Sequence, residues 1–293
     1  MKFDVIVVGG SYAGLSAALQ LARARRRIAV VDAGQRRNRF VGASHGFLGQ
    51  DGRAPGDIVH DAKAQLLAYP TVTWVAGQAD AARGAHDGFV VDVAGQALQG
   101  RRLVLATGVA DELPAIDGLA QRWGRTVFHC PYCHGYELDE GAIGVLASSP
   151  LAMHHALMLP DWGTVTLFLN GAFTPDAGQR QALAARRVAV EATPVARISG
   201  NATVELMDGR HVALAGLFTA TRTRMASPLA EQLGCEFEQG PAGPFLRRTM
   251  METSVPGVFA CGDAATAFGN VAMSVGDGAM TGAATHRSLI PGL

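Results

Sequence analysis

The chain has no excess charge of either sign, no long apolar run and no export signal. Its 25 basic and 25 acidic residues balance to a formal net charge of zero. That argues against nucleic acid as the main partner, which favours a basic surface. It argues equally against a polybasic membrane anchor. No apolar stretch approaches the ~20 residues that a membrane helix needs. The N-terminal run Phe3–Val8 meets glycines at once, which is a buried strand and not a signal peptide. The expected compartment is therefore the reducing cytoplasm. There a close cysteine pair serves catalysis or metal binding sooner than structure. Repeats and low-complexity tracts are also missing. What is present is a chain of 293 residues with 48% hydrophobic content, enough for two packed domains.

Three strand–turn–helix units can be read from the hydrophobic pattern. The first runs from a strand over Val5–Val8 through a glycine turn to a helix at about Ala13–Arg25. Its Leu15, Ala18, Leu19 and Ala22 share one face, and a strand Ile28–Val31 follows. The central unit joins a strand Ile143–Ala147 to a helix from Pro150 to about Leu159, then a strand Val165–Leu169. The last joins Val258–Ala260 to a helix over about Ala272–Leu289. Val90–Val93 and Arg102–Leu105 read as further strands. Leu113-Pro114 and Arg222–Ser227 read as crossings between domains.

Gly9-x-Ser11-x-x-Gly14 is a G-x-G-x-x-G motif with serine in its second slot. A strand precedes it, a helix follows, and Asp32 ends the next strand at about the ~20-residue spacing of a ribose-binding acid. The first glycine permits the tight turn, and the helix N-terminus binds a pyrophosphate. The motif alone does not separate FAD from NAD. A second piece, Thr253–Asp263, sets a short apolar strand before Gly262-Asp263. An acid at that strand end suits the ribityl hydroxyls of a flavin, and the helix beyond it stabilises negative charge.

Between these pieces lies Cys130-Pro131-Tyr132-Cys133-His134. The Cys-x-x-Cys spacing brings two sulfurs together with little strain and lowers the attacking thiol's pKa from ~8.5 toward neutrality. His129 and His134 flank the pair as candidate proton carriers, with Glu137 a weaker candidate for orienting one of them. A structural disulfide, a zinc site and an inert pair are the competing readings. Zinc lacks a second Cys-x-x-Cys, and Cys235 and Cys261 read as core residues.

Together these motifs resemble the low-molecular-weight thioredoxin-reductase type of flavoprotein, over nearly the whole chain. The cysteine pair lies in the inserted domain and the chain ends soon after Asp263, which separates this type from the glutathione-reductase branch. The resemblance implies an α/β fold of two Rossmann-like, three-layer ββα dinucleotide-binding domains, the second inserted in the first. The boundaries expected are 1–115 and 223–293 for the FAD domain and 116–222 for the insert. It implies FAD held by Gly9, Ser11, Tyr12, Ala13, Gly14, Asp32, Gly108, Gly262 and Asp263, and a homodimer. Cys133 would face the flavin and Cys130 would attack the partner sulfur. His134 stands where that type usually has an aspartate, and Cys-x-x-Cys-His is similar to the gliotoxin- and holomycin-type dithiol oxidases.

The central turn departs from a nicotinamide site. Where G-x-G-x-x-A is expected, the chain has Ala147-Ser148-Ser149-Pro150-Leu151-Ala152. Side chains on Ala147 and Ser149 crowd a pyrophosphate. Ser149 and Pro150 suit the N-cap and first position of a helix. No arginine pair follows Asn170-Gly171, with Arg180 the first arginine afterwards. This argues against strong NADPH binding. The expectation is therefore a dithiol oxidase with dioxygen as acceptor. The alternatives are a thioredoxin-like disulfide reductase driven by NAD(P)H or ferredoxin, and a redox-sensing flavoprotein. The partner is a small-molecule dithiol or a thioredoxin-like protein. The Ser44–Gly52 loop lies near the flavin by resemblance, with its role open. His154 and His155 read as solvent-facing or packing residues.

Overall fold

The computed structural model describes residues 2–292. The chain divides into two compact units. The first takes the chain up to Arg39, Arg53–Ala110 and everything from Thr223 onward; the second takes Phe40–Gly52 and Asp111–Arg222. The loop Phe40–Gly52 thus groups with the second unit, whereas the sequence boundaries assigned it to the first.

The first unit is built on a sheet of β1 (Lys2–Val8), β2 (Ile28–Asp32), β3 (Val72–Ala76), β4 (Ala79–Arg83), β5 (Phe89–Val93) and β6 (Gln96–Leu105), joined by late segments of the chain. Strands β3, β2, β1 and β6 run parallel, with Val5 opposite Ile28 and Arg102. The C-terminal strand Val258–Ala260 completes the row beside β6, with Phe259 opposite Val104. Val5, Val7, Val30, Val104 and Phe259 face one layer of core, Ile6, Val31, Leu103 and Val258 the other. Both faces are covered, so these strands read as continuous apolar runs. Helix α1 (Tyr12–Arg23) buries Leu15, Ala18, Leu21 and Ala22 against the sheet. The expected helix pattern is met, with its bounds a residue or two earlier. Helix α2 (Pro55–Leu67) covers the same face, burying Leu66.

The long helix Val271–Ser288 packs on α1. Small residues permit the approach: a Cβ at Gly278 would collide with the Ala13 carbonyl oxygen. Ser16 Oγ donates to the Val275 carbonyl at 2.7 Å, tying positions 259 residues apart.

The second unit carries a smaller parallel sheet of β7 (Val127–Phe128), β8 (Glu140–Leu146), β9 (Gly163–Phe168), β10 (Ala189–Glu191) and β11 (Gly216–Thr219). The order is β10-β9-β8-β11-β7. Its helices are α3 (Pro131–His134), α4 (Ala152–Met158) and α5 (Ala177–Ala185). An antiparallel trio over Val195–Ser199, Thr203–Leu206 and His211–Val212 adds a layer that the sequence reading did not foresee. The fold class is α/β with Rossmann-like units, as expected.

Candidate functional site

In the first unit, the turn after β1 is shaped for a close-approaching ligand. Gly9 takes φ +110°, and a Cβ at Gly14 would strike the Gly9 carbonyl oxygen, so only glycine allows the strand to meet the helix this tightly. Ser11 is the N-cap of α1, in extended conformation, and its side chain makes no cap bond; the first turn carries no acidic residue. The helix N-terminus therefore presents amides and positive dipole without a competing carboxylate. Asp32, at the end of β2, accepts from the Gly10 amide through Oδ1 at 3.3 Å. That bond fixes one carboxylate oxygen beside the glycine turn. Tyr12 donates to the Pro55 carbonyl at 3.4 Å and accepts from Asn38 Nδ2 at 3.1 Å. Burial raises its phenol pKa, so it stays a neutral donor. Asn38 Oδ1 and Arg36 Nε are buried here without a hydrogen-bond partner among the described residues. Ala13 is buried between Gly262 and Gly278.

At the C-terminal motif, Gly262 adopts φ +69° and its amide donates to Asp277 Oδ2 at 2.7 Å. Asp263 forms an ion pair with Arg37 at 2.9 Å, about a quarter exposed on each side. Arg37 was missed by the sequence reading. It lies just past β2 in an irregular segment, with no motif to mark it. Gly108 takes φ +67° with open space around its α-carbon, just beyond β6. These residues fit a flavin dinucleotide: bare backbone at the turn, an uncapped helix end, acids at two strand ends and buried polar atoms unpaired beside them.

In the second unit, Cys130 and Cys133 form a disulfide, with their Cα atoms 5.3 Å apart. Strand β7 delivers the chain to Cys130, which is the extended N-cap of α3. Pro131 occupies the first helical position, where its missing N–H costs nothing. The Cys133 amide donates to the Cys130 carbonyl at 3.2 Å and the Gly135 amide to Pro131 at 2.7 Å, so one helical turn sets the sulfur spacing. Both cysteines are partly exposed, and Tyr132 between them points outward against the edge of Trp162, ring centroids 5.3 Å apart.

His134 stacks on Phe128 with ring centroids 4.3 Å apart and planes 22° from parallel. Burial, with smaller contributions from the neighbouring His45 and His129, pushes its pKa down to about 4. It is therefore a neutral imidazole beside the disulfide at physiological pH. His155, on α4, is buried against Phe218 and hydrogen-bonds the His129 backbone. Burial, then His129 and His154, lower its pKa to about 4 as well. His154 is exposed. The Glu137 carboxylate lies 3.4 Å from His45 Nδ1. His45 comes from the Ser44–Gly52 loop, whose role the sequence left open.

The turn after β8 differs from a nucleotide cradle. Ser148 Oγ donates to the Ala220 carbonyl at 2.6 Å. Ser149 does not cap α4, as the sequence suggested. Its Oγ accepts from the Leu151 amide at 3.3 Å and the helix starts later, at Ala152, because this short serine turn intervenes. Asn170 Oδ1 accepts from the Val195 amide at 2.9 Å. Arg210 holds Glu191, at the end of β10, well below the usual carboxylate range, and Arg180 is engaged by the Pro175 carbonyl. Ser148, Ser149, Asn170 and Arg180 are thus engaged by backbone groups of the protein itself.

Cys235 and Cys261 are free and buried. Burial pushes the Cys261 thiol up to about 12, which leaves it unreactive. No helix among the described residues is long and apolar enough to cross a membrane.

Comparison with known proteins agrees with this architecture. The family model for pyridine nucleotide-disulphide oxidoreductases matches residues 3–280. Thioredoxin reductase sirT of Leptosphaeria maculans is 34% identical, with 97% of this chain and 93% of that protein aligned. The crystal structure of an oxidoreductase from Agrobacterium tumefaciens superposes with a TM-score of 0.96 at 58% identity, covering 98% of both chains. The crystal structure of HlmI gives 0.91 at 38% identity, over 98% of this chain and 92% of that one. The chain belongs to the pyridine nucleotide-disulphide oxidoreductase family and is a thioredoxin-reductase-like oxidoreductase.

Proposed function

We infer that this protein is an FAD-dependent dithiol oxidase, converting a small-molecule dithiol to its disulfide through Cys130 and Cys133. The observation that carries the reading is the half-buried His134, stacked on Phe128 directly after the partly exposed Cys130–Cys133 disulfide. Oxidising a dithiol requires removal of two thiol protons, and an imidazole next to Cys133 is placed to relay them.

One substrate thiolate attacks Cys130 Sγ. The Cys130–Cys133 bond breaks, and Cys133 leaves as a thiolate. The second substrate thiolate attacks its own sulfur in the mixed disulfide, which releases the oxidised product and the Cys130 thiolate. Two electrons have moved onto the cysteine pair, and the two protons have passed through His134 and its neighbour His129. FAD, when bound, supplies the two-electron acceptor that re-forms the disulfide and delivers the electrons to dioxygen, which leaves as hydrogen peroxide. The residues that would hold it are Gly9, Ser11, Tyr12, Ala13 and Gly14 at the pyrophosphate, Asp32 at the ribose, Gly108, Gly262 and Asp263. No step is assigned to NADPH. The homodimer implied by the resemblance is part of the same reading.

The test is anaerobic mixing of the oxidised, flavin-loaded protein with NADPH, NADH, small dithiols and reduced ferredoxin while the flavin absorbance is followed. A dithiol should bleach the flavin quickly and NADPH poorly. Micromolar half-saturation by NADPH, with rapid reduction of a thioredoxin, would overturn the reading. Steady aerobic turnover of a dithiol distinguishes an enzyme from a redox sensor.

A further inference from the structure

The segment Phe40–Gly52 leaves the first unit's stretch of sequence and folds with the second. It is a closed loop. The Gly52 amide donates to the Ser44 carbonyl at 2.9 Å, the Gln50 amide to the Phe47 carbonyl at 2.8 Å, and the Gly46 amide to Asp51 Oδ1 at 2.7 Å. Ser44 is buried. A Cβ at Gly124 would meet Phe40, so the start of the loop is pressed on the turn before β7. From this base His45 directs Nδ1 at Glu137 Oε1, 3.4 Å away, with Asp51 Oδ1 at 3.8 Å. The His45 side chain is only 21% exposed.

Glu137 is not an arbitrary surface acid. It sits in the single 3-10 turn Tyr136–Leu138 that begins at Gly135, the residue following His134. The Leu138 amide donates to Gly135 at 3.2 Å and the Gly135 amide to Pro131 at 2.7 Å. One run of hydrogen bonds therefore links Glu137 to the cysteine helix. A contact made at Glu137 is a contact made on the frame of the disulfide.

We propose that His45 is a positioning residue of the thiol–disulfide site: paired with Glu137, it ties the Phe40–Gly52 loop to the cysteine helix and brings its imidazole near His134. The role deepens the dithiol-oxidase reading and rests on it. The groups facing His134 are His45 from the loop and His129 from the end of β7, while Glu137 and Asp51 face His45. Positive charge on His45 opposes a second positive charge on His134. Burial alone lowers the pKa of a histidine. A neighbouring charge adds to that effect and carries a separate signature, because it depends on charge and not on volume.

The experiment is an imidazole titration by NMR of the full-length, flavin-loaded protein with labelled histidine, His134 being assigned through His134→Gln. His134 in the unsubstituted protein should titrate near 4. His45→Gln should raise that midpoint by about half a unit to one unit, the size expected for loss of one nearby charge. His45→Lys, which carries a positive charge throughout the titration, should hold it low. The acid limb of disulfide reduction by dithiothreitol, quenched with iodoacetamide, should shift in parallel. Glu137→Gln should speed proteolysis within residues 40–52. An unmoved midpoint in His45→Gln, or equal rises in the Gln and Lys variants, overturns the charge role. Unchanged proteolysis in Glu137→Gln overturns the tether. The titration needs no turnover: a shifted midpoint in a protein that oxidises no dithiol upholds the positioning role and removes only the dithiol-oxidase reading.

Discussion

Two histidines of the second unit, the buried His155 and the half-buried His134, are held neutral, and each makes folding sensitive to acid. His134 and His155 have folded values near 4 against an ordinary 6.5. In this window the unfolded chain binds more protons than the folded one, so stability rises with pH. The contribution is fully present above about pH 6.5 and is lost as pH falls toward 4. At about 1.36 kcal/mol per unit the full shift of His155 corresponds to about 3 kcal/mol, and the half-buried His134 contributes less. Urea unfolding at pH 7 and pH 4.5 should show the loss, and His155→Gln should make the pH dependence shallower by roughly one histidine's share. An equal slope in that variant would mean that the acid sensitivity comes from other groups. The cysteines were legible at this scale because Cys-x-x-Cys is a local spacing. Arg37 and His45 were not, because their partners Asp263 and Glu137 lie far along the chain and only the fold brings them together.

Among the elements, the pairing of α1 with the helix Val271–Ser288 sets the shape of the proposed flavin cradle. Gly14 and Gly278 remove side chains where backbones meet, and the fit holds Ala13 and the Gly262-Asp263 turn in place. Gly278→Val drives a branched side chain into the Ala13 carbonyl. It should cost roughly 1–3 kcal/mol or more by overpacking and should yield protein with little bound flavin. Asp263→Ala leaves the packing intact and should lose flavin without a comparable fall in melting temperature. Absorbance at purification and thermal melts of the two variants separate these effects; full flavin content in both would remove this helix pair and Asp263 from the cofactor's support. The parallel strands and the helices of period 3.6 were legible in the sequence, with ends off by up to three residues except the start of β6, which lies six residues before the expected Arg102. The antiparallel trio over 195–212 was not, because its strands are short and only half apolar. Helix α4 was read from Pro150, but Ser149 bonds the Leu151 amide and delays its start to Ala152.

For the whole molecule, both ends of the chain contribute to one sheet and one cradle. A site built from two strand-end acids and a pyrophosphate turn suits a dinucleotide and not a mononucleotide. Heat-denatured protein should therefore release FAD, read by chromatography of the supernatant; release of FMN would contradict the assignment of Asp32 to a ribose. The same arrangement has a consequence for synthesis. As the chain leaves the ribosome, β1, β2, β3 and β6 emerge early, yet the strand that pairs with β6 and the helix that covers α1 are translated last. Domains generally fold as units, and at roughly 5–20 residues per second that gap lasts roughly 8–30 seconds. Throughout it the end of β6 over Leu103–Leu105, beyond the part already paired with β5, lacks its partner strand. Residues 111–222, with their cysteine pair, lie between the two halves and are complete before the cradle is. The nascent protein thus holds its thiols ready before it can hold the flavin.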